Sequence, residues 1–104
     1  MNEDDIRWIL QRVQSYKRER IPEGCYYDAG RPRTVRLILS DMIRHAIKGA
    51  IADWFKQFRP NIDPYKKMAI NAMLIRLIFT IYKAGWNDAL VQAYLNMINK
   101  LDEQ

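Results

Sequence analysis

Asp41 and His45 stand four residues apart, a spacing that on a helix sets a carboxylate one turn before an imidazole. Such a pair can orient an imidazole for general-base work. No serine or cysteine nucleophile, second histidine or paired carboxylate is spaced to join it here, so a surface helical pair is the expectation. Cys25 has basic residues around it, which would lower a thiol's pKa and make it reactive; a half-buried structural thiol is the plainer reading. One cysteine and one histidine cannot build a structural zinc site, and one cysteine cannot close an intrachain disulfide. The chain has no glycine-rich phosphate loop and no nucleophile elbow. Neither an enzyme nor a cofactor is expected.

The residues that could do something together are cations. Between Arg31 and Arg59 the chain places Arg31, Arg33, Arg36, Arg44, Lys48, Lys56 and Arg59 against Asp41 and Asp53, a surplus equal to the +5 of the whole chain. At 100° per residue Arg33, Arg36, Arg44 and Lys48 share roughly a third of a helix circumference. Lys17, Arg18, Arg20 and Arg31 add to this charge from the preceding residues, and Tyr16, Tyr26 and Tyr27 are interleaved with them. Guanidinium groups hold phosphates while tyrosine rings stack on bases, so this set reads as a nucleic-acid contact. A solvated helix face would mix signs, whereas only Asp41 and Glu19 lie near these cations.

Four helices must position these groups. The first is predicted over 3–18, with Asn2 as N-cap, Glu3, Asp4 and Asp5 on the positive end of the macrodipole, and a stripe of Ile6, Ile9, Leu10 and Val13 continued by Tyr16. Trp8 falls on the opposite face. Residues 19–32 hold Pro22, Gly24, Gly30 and Pro32 and read as an ordered loop pinned by Ile21, Tyr26 and Tyr27.

The second helix, 33–58, is the long one, with an apolar face of Val35, Leu39, Met42, Ile43, Ala46, Ala50, Trp54 and Phe58. Ala46, Gly49 and Ala50 make a small-residue patch that lets another helix come close. Arg59-Pro60 ends it, and Asp63-Pro64 starts the third, 64–84. That third helix is apolar nearly all round, with a wet strip only at Arg76, Thr80 and Lys83, so it belongs in the middle of a bundle. Met73, Leu77 and Ile81 are expected in the core. Asp53 sits inside the apolar arc of the second helix; either Arg76 is its partner, or it lies at an edge left open by helix packing. Gly85 stops the third helix, and Asn87 caps the fourth, 87–101, whose face reads Leu90, Tyr94, Met97, Leu101.

The predicted architecture is a single all-α domain, a compact four-helix bundle with helices 2, 3 and 4 as antiparallel neighbours. Helices 3 and 4 could instead be a helix-turn-helix, but the second begins Asn87-Asp88 and carries only Lys100 as a cation, so a hairpin that completes the core fits better.

The expected function is nucleic-acid or nucleoprotein binding through the basic face of helix 2, salt-sensitive and weakly specific. The alternative is a regulator or inhibitor docking on an acidic protein surface, favoured by surplus apolar surface on helix 3 and an exposed Trp8, which also suit a homodimer. Compactness and sparse glycine are compatible with small phage or plasmid regulators, a matter of style and not of residues. The acidic N-terminus is unlike a secretory signal, and the most apolar stretch, 68–82, is shorter than the roughly 20 residues of a spanning helix. A cytoplasmic protein without a membrane partner is expected.

Overall fold

The starts of three helices in this chain are set by side chains. The computed structural model describes the backbone of residues 1–19, 27–28, 31–32 and 35–104, and the side chains of 1–16 and 41–104. Helix α1 is Glu3–Glu19. The Asn2 side chain accepts from Asp5 N–H at 3.3 Å and Asp5 returns the bond by accepting from Asn2 N–H at 2.8 Å, a reciprocal capping box. Helix α2 is Val35–Phe58 and closes with Arg59 N–H donating to the Phe55 carbonyl. Helix α3 is Pro64–Ala84; Asp63 accepts from Lys66 N–H ahead of Pro64, whose missing donor costs nothing at that position. Gly85 ends α3 at φ 86°, a left-handed conformation that suits glycine, and donates to the Ile81 carbonyl. Helix α4 is Asp88–Asp102, capped by the Asn87 side chain, which accepts from Leu90 N–H.

Within the stretch expected to be a loop, strands β1 (Tyr27–Asp28) and β2 (Arg31–Pro32) pair antiparallel, Tyr27 opposite Pro32 and Asp28 opposite Arg31. Residues 20–26, 29–30 and 33–34, with the expected anchors Ile21 and Tyr26, lie outside the described residues.

The four helices form a bundle-like all-α fold in which α1 packs along α2, α2 on α3 and α3 on α4. Ile6, Ile9 and Val13 enter the core from α1, Ala46, Ile47, Ala50, Ile51, Trp54 and Phe55 from α2. Helix α3 gives Ile70, Leu74, Leu77, Ile78 and Ile81, and α4 gives Val91, Leu95 and Ile98. Polar side chains close the seams. Trp54 Nε1–H donates to Asp5 at 3.1 Å, the Gln14 amide donates to the Tyr82 hydroxyl at 2.9 Å, and Arg59 grips Asp102 with two bonds of 2.8 and 2.6 Å.

Three sequence expectations need correction. The buried line of α4 is Val91–Leu95–Ile98, while Met97 is 48% exposed, so the helix is turned by about one residue, roughly 100°, from the expected face. Its apolar arc is wide, and packing on α3 buries the other half, while Asn99 bonds Met1 and Gln92 bonds Glu3. On α2, Ile47, Ile51 and Phe55 are buried although the expected stripe omitted them, because this helix is covered by α1 on one flank and α3 on the other; Phe58, expected inside, is 44% exposed. On α3, Met73 is only partly buried. Trp8, expected either on the surface or in contact with something outside its own helix, does the latter: its ring packs edge-on to Phe58 of α2 at 5.3 Å and joins the margin of the core.

The small-residue patch does admit a close neighbour: a Cβ placed on Gly49 would lie 3.1 Å from Cζ of the Tyr16 ring. Two measurements check this packing. Leu77→Ala should lose about 2–5 kcal/mol in urea unfolding, through lost burial and a residual cavity. Gly49→Ala should fail to realise the roughly 1 kcal/mol of helix propensity it brings, and recover it in a Tyr16→Ala background. Additive behaviour of the two changes in a double-mutant cycle would show that the ring does not rest there.

Candidate functional site: a basic groove between α2 and α3

Asp53 is the carboxylate that looked out of place, and its partners are on α1. Arg12 Nε donates to Asp53 Oδ2 at 2.9 Å and the Tyr16 hydroxyl donates to the same oxygen at 2.7 Å. The expected Arg76 is exposed on α3 instead. The reason is the small residue at Gly49: once the Tyr16 ring lies on it, the hydroxyl reaches one turn along α2 to residue 53. Burial pushes the Asp53 carboxyl up, but the bonds from Tyr16 and Arg12 outweigh it and hold the group below its ordinary range. The same bond to Asp53, with burial, pushes the Tyr16 hydroxyl up. Trp8, Lys56 and Gln57 complete a shallow cleft of about 340 Å³ around this cluster. Within it the Asp53 carboxylate is taken up by Arg12 and Tyr16.

The opposite flank of α2 is different. Arg44 and Lys48 are exposed there, and neither takes part in an ion pair with a described residue. Lys48 borders an open groove of about 520 Å³ between α2 and α3. Ala52 and Phe55 supply its α2 wall, and Met68, Asn71 and Ile75 its α3 wall. Lys67 stands across the groove with its ammonium 5.7 Å from the centre of the Phe55 ring, close enough for a cation–π attraction. No carboxylate of a described residue lines it. At its end Met68 is 70% exposed and Tyr65, next to Pro64 of the rim, is 83% exposed.

No protein-family model, curated protein or solved structure matches this chain.

Of the residues expected at the site, Arg44 and Lys48 fall on one flank of α2. Lys17 and Arg18 end α1, Tyr27 and Arg31 belong to the strand pair, and Arg36 is in the first turn of α2, but their side chains lie outside the described residues, as do Arg20, Tyr26 and Arg33 altogether. His45 is exposed and Asp41 partly buried on α2, and Cys25 lies outside the described residues. Among the described residues no group of three or more His, Cys, Asp and Glu is gathered that could hold a metal ion.

Lys67, Asn71 and Tyr65 were not expected, yet a signal was present. Lys66 and Lys67 sit in the first turn of α3, where the macrodipole disfavours cations. Lys66 has a structural reason to be there: its ammonium donates to the carbonyls of Asp102 and Gln104 at the negative end of α4. Among the described residues no such partner answers Lys67, which borders the groove.

The Asp53 cluster predicts a pH dependence at both extremes. A depressed carboxyl contributes stability above its unfolded pKa of about 4, lost as pH falls through the lower folded value. The raised Tyr16 hydroxyl contributes below its unfolded pKa of about 10, lost as pH rises through the higher folded value. Asp53→Asn should therefore cost about 1 kcal/mol at neutral pH, kept small by solvent screening, and flatten the acid limb of a thermal-melting profile. An acid limb identical to wild type would rule the cluster out as its source.

Proposed function

We propose that this protein is a non-enzymatic module that binds nucleic acid, alone or within a nucleoprotein complex, through the basic flank of α2 that faces α3. The observation that carries this reading is a pair of exposed cations, Lys48 and Lys67, on the two sides of a groove that no carboxylate of a described residue lines, with Arg44 exposed one turn before Lys48. Cations left without protein partners are those that can release counterions from a phosphate backbone. On the other face of α2 the carboxylate of Asp53 is bridged to Arg12, so it does not offset the cations of this flank. The charge that the sequence places on Arg31, Arg33 and Arg36 adds to the same field. Binding of this kind is weakly sequence-specific. A cytoplasmic location goes with the reading; among the described residues no helix is long and apolar enough to cross a membrane.

A second reading has its own support. Tyr65 and Met68 place apolar surface beside Lys67, a combination that also suits an acidic protein partner or a second copy of the chain. Light scattering separates the last of these: a dimer at tens of micromolar, an order of magnitude common for protein association, would give that surface to self-association.

The deciding measurement is the salt dependence of binding. Arg44→Gln and Lys48→Gln should each weaken binding to all sequences and reduce the slope of log affinity against log salt by about one. Lys100→Gln, on α4 away from the groove, should change neither. If both flank variants keep the wild-type slope, the flank is a solvated face, and if wild type binds no nucleic acid at low salt, the protein-partner reading takes over.

A further inference from the structure

We infer that the α2–α3 groove seats unpaired bases, so that the nucleic acid bound here is single-stranded; this deepens the nucleic-acid reading above and rests on it. A duplex presents phosphates outward and keeps its base faces stacked inside. To such a ligand the cations matter and an apolar groove between them adds nothing. A single strand offers both phosphates and bare base faces, and the groove has a place for each.

Its rims carry Lys48 on α2 and Lys67 on α3, one charge on each side of the trough. Its interior is apolar, with Ala52 and Ile75 on opposite walls over the buried Phe55. Met68, unbranched and polarizable, stands 70% exposed at the α3 wall, where it can fold over a flat ring. Asn71 adds an amide with two donors and an acceptor, and it makes no side-chain hydrogen bond with a described residue, so it is available to a base edge. The groove is open and has a volume of about 520 Å³. Tyr65, 83% exposed beside the rim, offers a ring on which the next base can stack. The preference is for strandedness, since nothing in an apolar trough with one amide discriminates strongly among bases.

Filling the groove without touching its charge tests this. Ala52 is exposed on the α2 wall, so Ala52→Phe occupies the trough and keeps every cation. Fluorescence anisotropy would compare a labelled mixed-sequence single strand with its duplex, each at low and near-physiological salt. Ala52→Phe should weaken single-strand binding about tenfold or more, the scale of one lost base contact, and leave duplex binding and both salt slopes at wild-type values. Asn71→Leu, a second variant that keeps all cations, should act in the same direction and serves if circular dichroism shows Ala52→Phe misfolded. Unchanged single-strand affinity in folded groove variants would overturn the inference while leaving the phosphate reading intact. Absence of any binding by wild type at low salt would overturn both. Tighter duplex than single-strand binding by wild type would likewise remove the groove from recognition.

Discussion

The docking of α1 on α2 depends on one close approach, the Tyr16 ring lying on Gly49. Residues 20–34 separate the two helices, so no short turn forces them together, in contrast to the tight connections at 59–63 and 85–87. Their register has to come from side chains. A residue without a Cβ at position 49 lets the ring descend onto the helix, which brings the hydroxyl to Asp53 and lines up Arg12 with the same carboxylate. Trp54, one residue on, points the other way and donates to Asp5, the residue that also caps α1. Helix start, helix docking and a partly buried charge are thus settled by one set of contacts. The ledger of charge follows from it. Asp53 is engaged on the α1 flank, while Lys48 and Lys67 border the α2–α3 groove without an ion pair to a described residue.

What could be read from the sequence was mostly what a single helix determines for itself. Asn2, Asp63-Pro64, Gly85 and Asn87 act through bonds to their own first or last turn, and those ends fall where local rules put them. The all-α bundle follows from the apolar periodicity between them. Rotation of a helix about its axis is a different matter, because it depends on neighbours. On α4 the arc from Leu90 to Leu101 is broad enough to contain two plausible lines, and it is packing in the bundle, mainly on α3, that buries Val91, Leu95 and Ile98. The pairing of Asp53 failed for a related reason. Arg76 was a fair partner on charge and burial, but the docking of α1 through Tyr16 was not readable from spacing.

The candidate site divides along the same line. Arg44 and Lys48 could be picked out because their excess charge is a property of one segment. The groove could not, because Lys48, Ala52 and Phe55 of α2 meet Lys67, Met68, Asn71 and Ile75 of α3 only in the folded chain. The trace it leaves in the sequence is an electrostatic oddity, two lysines where a helix begins. The two resolve differently. Lys66 lies between the positive end of α3 and the negative end of α4 and satisfies the latter's last carbonyls, so its placement stabilises the bundle. Lys67 carries the same dipolar cost without that return, and its nearest answer is the edge of a groove.

Titration argues in the same direction as shape. Proton transfer near neutral pH calls for a group whose pKa has been brought toward 7 by its surroundings. The cluster formed by Arg12, Tyr16 and Asp53 does the reverse: the carboxyl is held below its ordinary range and the phenol is raised above its own, each by being the other's hydrogen-bond partner. The resulting cluster is a poor base and a poor acid, and a good clamp. Arg59 and Asp102 repeat the pattern between α2 and α4, where the bidentate bond raises the guanidinium and lowers the carboxyl. Polar contacts in this chain therefore fix helices to one another and take anions out of play. Among the described residues they leave Lys48 and Lys67 without an ion pair at the α2–α3 groove, positive charge beside apolar surface.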